Sequence, residues 1–251
     1  MAHRIVQLTD LHLCAEDGRT VHGSDVWHNL RCALADVAAR QQPFDLLVLS
    51  GDLANQRHPA SYARLRGLLE PFAGRYRVLP GNHDSRRLLR AAFADQVPPD
   101  GDACFRTELG DLTVLGLDSV RRPFVHGRFG HRQLEWLARQ LRSCTRAVAF
   151  AHHPPIRVGT WWLDKDRPRD RLALQRCIAG APLLALFTGH VHQEASGAFA
   201  GVPVWTTPAV AYQFAARRPW PVIAARTPRY RVIDVDGAQW TTRVVDPAGA
   251  S

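Results

Sequence analysis

Asp10-x-His12, Gly51-Asp52, Gly81-Asn82-His83-Asp84, His152-His153 and Gly189-His190-Val191-His192 follow one another along a chain of 251 residues, each just after an apolar run. Asp10, His12, Asp52, Asn82, His152, His190 and His192 make a mixed set of carboxylate, amide and imidazole donors. Such a set suits hard or borderline cations, whereas thiolates favour softer metals. The D-x-H and H-x-H spacings let two groups of one segment aim at one place. The donors suffice for two adjacent metals, with one carboxylate to bridge them. Taken singly, Asp10 or Asp52 reads as a turn or helix-cap residue, Asn82 as a turn residue and His152-His153 as a half-buried pair. Their occurrence in order, each at the end of an expected strand, points to a dimetal site.

The elements that must position these groups follow from hydrophobic patterning. Residues 5–8, 46–49 and 76–79 read as strands, with helices over 26–39 and 61–69 between them. That alternation predicts a parallel sheet of crossover units, whose ligands gather outside the carboxyl ends of its strands, where Asp10, Asp52 and Asn82 stand. Further on, 104–109 and 112–117 flank Gly110-Asp111 and predict a hairpin. An amphipathic helix is expected over 130–141, and buried strands over 146–151 and 183–187 deliver His152 and His190. Residues 202–205, 229–234 and 240–245 are expected to form a second, more antiparallel sheet. Two segments rich in Pro, Arg and Trp, 156–170 and 211–228, read as long loops near the site.

Composition bounds the function. At 46% hydrophobic content the chain can bury a large core, and one domain over 1–251 is expected. Lysine and arginine number 32 against 23 acidic residues, a net charge of +9, and Lys165 is the sole lysine, so the positive surface is almost wholly guanidinium. Guanidinium forks suit phosphate and carboxylate. The arginines are scattered and not gathered with aromatics in one run, so no nucleic-acid polymer is expected as a partner. Five cysteines without C-x-x-C spacing, and no leader-like stretch around Met1-Ala2-His3-Arg4, lead to the expectation of free thiols and a cytoplasmic location. No run approaches the roughly 18 apolar residues of a membrane span. Exposed apolar side chains on the long loops would serve either a homodimer contact or packing over the site.

The whole pattern resembles the calcineurin-like metallophosphoesterases, whose order D-x-H, G-D, G-N-H-D/E, H and G-H-x-H is matched element by element over essentially the entire chain. Within them it is most similar to the class III cyclic nucleotide phosphodiesterases, through Thr9 to His12, Gly51 to Ala54, Tyr62, His152 to Pro155, Trp162-Leu163-Asp164, Gly189 to Glu194, Thr207-Pro208 and Gln213-Phe214. The resemblance implies an α/β fold, a sandwich of two mixed β-sheets flanked by helices in four αββα layers. It implies that Asp10, His12, Asp52 and His192 bind one metal and Asp52, Asn82, His152 and His190 the other, with Asp52 bridging. Iron, manganese and zinc all accept these donors.

The implied reaction is hydrolysis of a small anionic phosphodiester, foremost 3′,5′-cyclic AMP to 5′-AMP. Glycerophosphodiesters, 2′,3′-cyclic nucleotides and aryl diesters are the alternative substrates. Two cations clamping the phosphate neutralise developing charge and acidify a bound water, and the resulting bridging hydroxide attacks phosphorus in line. By resemblance His83 serves the leaving alkoxide as general acid or electrostatic clamp. Asp52 is catalytic through the metals it bridges, and Asn82, His83, Trp162, Asp164, Thr207 and Gln213 contact substrate. Trp161 and Trp162 would either stack a nucleobase or pack their loop, and His153 is expected behind the ligands. A metal-dependent binding scaffold without activity is the remaining reading, and the intact ligand set argues against it.

Overall fold

Along β1 (Ala2–Leu8) successive side chains point to opposite faces, and both faces are apolar, so Ile5 enters one core while Val6 and Leu8 enter another. A strand of this kind must be covered on both sides. The computed structural model describes residues 2–249, so Met1, Ala250 and Ser251 of the expected 1–251 unit lie outside the described residues. After β1 come the two-residue strands β2 (Thr20–Val21) and β3 (Ser24–Asp25), then α1 (Val26–Arg40), β4 (Leu46–Ser50), α2 (Pro59–Leu68), β5 (Tyr76–Leu79) and α3 (Arg86–Ala92). The second half holds β6 (Phe105–Leu109), β7 (Leu112–Leu117), α4 (His131–Arg142), β8 (Ala147–Ala151), α5 (Trp161–Asp164), α6 (Arg171–Ile178), β9 (Leu183–Thr188), β10 (Ala195–Phe199), β11 (Val202–Thr206), β12 (Gln213–Phe214), β13 (Ile223–Ala225), β14 (Tyr230–Asp236) and β15 (Gln239–Val245).

Two mixed sheets result, in the orders β15-β14-β1-β4-β5 and β10-β11-β9-β8-β7-β6. In the first, β1, β4 and β5 run parallel, and β14 and β15, each antiparallel to its neighbour, complete the other side; in the second, β11, β9, β8 and β7 run parallel and the antiparallel β10 and β6 close both edges. Ile5, Val48 and Leu79 of the first sheet meet Val114, Phe150 and Phe187 of the second in a shared core. The outer face of the first sheet packs on α1 and α2 through Leu47, Leu49, Leu30 and Leu65, and that of the second on α4 and α6 through Leu115, Ala149, Leu137 and Leu174. Helix, sheet, sheet and helix therefore stack as four layers. The fold class read from the sequence stands, as does the hairpin at Gly110-Asp111, where Leu109 pairs with Leu112. No helix among the described residues is long and apolar enough to cross a membrane.

The sheet assignments of the last strands need correction. Val202–Thr206 joins the second sheet, parallel to β9, but Tyr230–Asp236 and Gln239–Val245 return to the first, where β14 pairs antiparallel with β1. Its Ile233 and Val235 then complete the inter-sheet core while Tyr230 and Val232 face the helices. Periodicity shows that a segment is a strand and says nothing of its neighbour. The expected loops also carry structure: one helical turn at Trp161–Asp164, and the β12–β13 ribbon inside 211–228. Helices α3 and α6 and strand β10 were not anticipated. Helix α3 is only 7 residues long, too short to show a period, and starts at a Ser85 cap accepting from the Leu88 N–H.

Candidate metal centre

The predicted donors sit just past strands: Asp10, Asp52, His152 and His190 one or two residues after β1, β4, β8 and β9, Asn82 three past β5, and His12 and His192 four past β1 and β9. These strands come from both sheets, so the donors converge where the carboxyl ends of those strands meet. The local backbone is bent to do this. Asp10, His12, Asp52, His190 and His192 all take left-handed conformations, with φ of 55°, 47°, 51°, 70° and 50°. Such conformations cost on the order of 1–3 kcal/mol each for residues other than glycine and persist only where the surroundings enforce them. The enforcement is visible: Asp10 N–H donates to the Gly51 carbonyl at 2.9 Å, His12 N–H to the Asp52 carbonyl at 2.9 Å, and Gly189 N–H to the His152 carbonyl at 3.0 Å. Two of the motif glycines are needed for close approach, since a Cβ on Gly81 would overlap Asp52 and one on Gly189 would overlap Thr9 and Asp10.

Seven donors are thereby buried together. Asp52 Oδ2 lies 3.4 Å from His152 Nε2 and 3.7 Å from His12 Nε2, so one carboxylate oxygen faces both halves of the cluster. Asp10 Oδ1 is 3.3 Å from His192 Nε2 and 4.0 Å from His152 Nε2. Asn82 Oδ1 approaches His152 Nε2 at 3.2 Å. Burial alone would push the Asp10 carboxyl up, but His192 and His152 draw it down to about 2. Asp52, buried as deeply, is held well below the ordinary carboxylate range chiefly by His152. Burial drives the His12 imidazole down to about 3, whereas on His152 the carboxylates of Asp52 and Asp10 overcome burial and lift it to about 9.

The hydrogen bonds of the donor set itself fit it to cations. His152 Nδ1 donates to the Ser50 carbonyl at 3.1 Å and His192 Nδ1 to the Tyr212 carbonyl at 2.8 Å, which leaves an unprotonated Nε2 on each neutral ring aimed inward. His12 Nδ1 meets Asn55 Oδ1 at 3.3 Å, so its Nε2 faces that of His192, 3.1 Å away, lone pair to lone pair. Buried His190 Nε2 has no hydrogen-bond partner at all. Facing lone pairs and an orphaned imidazole nitrogen are costly unless a cation lies among them. Overlapping groups of Asp10, His12 and His192, and of Asp10, Asp52 and His152, each place their donor atoms within 4.8 Å of one another, a geometry that can hold metal ions.

The other predicted residues fall into two classes. His83 is half-buried beside His12, ring centroids 4.8 Å apart, with its N–H donating to Asp52 Oδ1 at 2.8 Å and its Nδ1 on the Asn55 carbonyl at 3.3 Å. Trp162, Asp164, Thr207 and Gln213, by contrast, brace the surroundings. Trp162 Nε1 donates to the Arg218 carbonyl, Asp164 Oδ1 accepts from the Val158 N–H, Thr207 Oγ1 donates to Gln7 Oε1, and the Gln213 amide ties Ala209 to Thr227. Trp162 still borders the cluster through Phe214, which packs on His192. Trp161 donates to the Pro219 carbonyl yet stays 57% exposed. His153 has both ring nitrogens engaged, by Ser119 Oγ and the Val125 carbonyl at 2.8 Å each, so it stands behind the donors.

Three positioning residues escaped the sequence reading. Buried Asp84 accepts from the N–H groups of Gly81, Leu53 and Ala54 and from the Tyr62 hydroxyl, clamping two donor loops together. Its burial, and then the charge of Asp52, raise it to about 6 against those bonds. Asn55 holds His12 by its side chain and His83 by its carbonyl. Asp166 places a carboxylate 3.6 Å from His190 Nε2. Asp84 and Asn55 lie inside or beside quoted motifs and were within reach of the sequence; Asp166 carried no signal.

A family model described as calcineurin-like phosphoesterase matches residues 3–194. The chain belongs to that family. This phosphoesterase is 32% identical over 214 residues to the 3′,5′-cyclic adenosine monophosphate phosphodiesterase CpdA of Escherichia coli (strain K12), covering 84% of this chain and 77% of that protein. It is 31% identical over 214 residues to a cAMP/cGMP dual specificity phosphodiesterase of Mycobacterium tuberculosis, covering 83% and 67%. A dimetal phosphatase from Danio rerio superposes with a TM-score of 0.67 over 98% of this chain and 99% of that one, at 13% identity, a likeness of fold alone.

Proposed function

We propose that this metal-dependent phosphodiesterase hydrolyses cyclic nucleotides, 3′,5′-cyclic AMP foremost, with Asp10, His12, Asp52 and His192 holding one cation and Asp52, Asn82, His152 and His190 the second. The single observation that carries the assignment is Asp52 Oδ2 facing His12 and His152 at once, as a bridging carboxylate must. When bound, the two cations would neutralise phosphate oxygens and acidify water; iron, manganese and zinc all suit the donors. The chain's own residues do the rest. The Ser50 and Tyr212 carbonyls fix the tautomers of His152 and His192, and the Asn55 carbonyl takes the Nδ1–H of His83, so that its imidazolium form would pass the Nε2 proton to the leaving alkoxide oxygen. Because the donors come from both sheets, we take the two sheets as one catalytic unit. Free thiols at all five cysteines support a reducing, cytoplasmic setting.

The cyclic-nucleotide assignment is supported by the named activities of the curated relatives and by Trp162 and Phe214 bordering the cluster. Steady-state comparison of cyclic AMP, 2′,3′-cyclic AMP and an aryl phosphodiester at defined metal loading tests it. Cyclic AMP is expected to give the largest kcat/KM, and a higher value for either competitor would refute the substrate assignment while leaving the diesterase reading in place.

A further inference from the structure

Several arginines are matched to acids: Arg4 to Asp234, Arg31 and Arg64 to Asp17, Arg66 to Asp95, Arg229 to Asp246 and Arg86 to Asp118. Beside the cluster, unmatched cations gather in one groove. The side chains of Arg157, Arg169 and Arg171 have no hydrogen-bond or ion-pair partner among the described residues, and that of Arg167 reaches only the Asp164 carbonyl. With Lys165 they line a groove of about 560 Å³. Its one lining carboxylate, Asp164, already accepts from the Val158 N–H. Burial and the charges of Arg171 and Arg157 lower Arg167, so these cations repel one another. A second groove, of about 310 Å³, carries Arg86, Arg121, Arg122 and Arg128 against Asp102.

Both grooves adjoin the cluster. Lys165 and Arg167 flank Asp166, the carboxylate near His190, and neighbouring Cα atoms are only about 3.8 Å apart. Arg122 is close enough to Arg57 for their charges to interact, and Arg57 donates to the carbonyls of Asn82 and His83. The grooves join at Asp170, which sits between Arg169 and Arg171, lies 3.9 Å from Arg128 and accepts from the N–H groups of Phe129 and Gly130. Guanidinium groups thus form an arc from Arg57, bonded only to main-chain carbonyls, through Arg122 and through Arg128, which faces Asp170, to Arg169 and Arg157, which have no partner among the described residues. A cyclic monophosphate has one phosphate, which the metal centre would occupy, and it leaves this arc unmatched. A ligand with further phosphates spaced along it neutralises the arc and gains affinity by doing so.

We infer that the arc holds the non-scissile phosphates of short linear oligonucleotides, and that the protein hydrolyses terminally phosphorylated di- to tetranucleotides. The chemistry rests on the metal-centre reading above; the binding does not. Water oxygen forms the new P–O bond, the P–O3′ bond breaks, and the 3′ oxygen takes the proton. The products are a 5′-monophosphate and a strand ending in a 3′ hydroxyl.

The test pairs binding with turnover in the full-length, metal-loaded protein. The binding probe is a fluorescent 5′-phosphorylated diadenylate with a phosphorothioate linkage. The variants are Arg157→Gln with Arg169→Gln, both exposed positions, and Arg157→Lys with Arg169→Lys as the charge-preserving control. The glutamine pair is expected to weaken the probe about 10-fold at low salt and to flatten its salt dependence, with the lysine pair close to wild type. KM for the hydrolysable diadenylate should rise by a like factor while both constants for cyclic AMP stay within about two-fold. Absent probe binding in the wild type, equal losses for cyclic AMP, or a 20-nucleotide strand that displaces the probe far better than the diadenylate itself would overturn the proposal. Charge-dependent probe binding without cyclic AMP turnover would instead sink the cyclic-nucleotide reading and leave this one standing.

Discussion

The donor loops and the two segments that overhang them, 156–170 and 211–228, are held in different ways. Each donor loop is a few residues long, follows a buried strand, and is locked by backbone bonds to its neighbour and by the Asp84 clamp. The overhanging segments are longer and are held both to each other, by the Trp161 and Trp162 indoles donating to the Pro219 and Arg218 carbonyls and Thr160 Oγ1 accepting from the Arg217 N–H, and to the body, where Asn29 donates to the Ala211 and Arg226 carbonyls. Rigid placement suits donors that must keep left-handed backbone. The difference implies that changes in the loops alter chemistry and changes in the overhang alter selection.

The largest effect should come from the residue that faces both halves of the cluster. Asp52→Asn is expected to lower bound metal and to cost more turnover than loss of a general acid does; unchanged metal content by elemental analysis would break the assignment. His83→Ala should retain metal and lose roughly 10²–10⁴-fold in kcat, most for alkyl diesters with poor leaving groups. Equal rates on alkyl and aryl diesters would remove His83 from the proton transfer. Asp84→Ala strands three buried N–H donors and a tyrosine hydroxyl, and should cost about 3 kcal/mol or more in denaturant unfolding. A much smaller cost would mean that the loops do not depend on this clamp.

The pH dependence sharpens the same contrast. In the metal-free chain His152 is raised from its ordinary 6.5 to about 9, so its charged form favours folding. That contribution is complete below pH 6.5 and is lost as pH rises through about 9. Metal binding runs the opposite way, because the proton must leave, so metal affinity measured by competition should climb across the same window. The smallest effect is expected in the overhang. Trp162→Phe removes one N–H donor, about 1 kcal/mol of net hydrogen bonding, and should shift KM a few-fold with kcat and metal content intact. A loss of metal in this variant would show that the two regions are not separable.

The donors were legible because their signal is local. Asp10-x-His12 and His190-x-His192 put both groups within three residues, and short apolar runs ahead of each motif disclose the strands that present them. Asp84 and Asn55 were visible as neighbours of those motifs, but their roles need partners 30 residues away, such as Leu53 and Ala54 for Asp84 or His83 for Asn55. Thr207 and Gln213 illustrate the limit further. Their assignment to substrate comes from the family resemblance alone, and the structure shows their side chains bonded to Gln7 and Ala209.

The order and type of the motif residues, each after a short apolar run, pointed to the candidate donors and carried the resemblance that implied the four-layer fold. Only the tertiary structure decided that β14 returns to the first sheet, that Asp166 comes to His190, and that the unmatched arginines collect along one rim. These depend on contacts between segments far apart in sequence. A local pattern cannot encode such contacts, because the same strand, loop or arginine would look identical with any other neighbour.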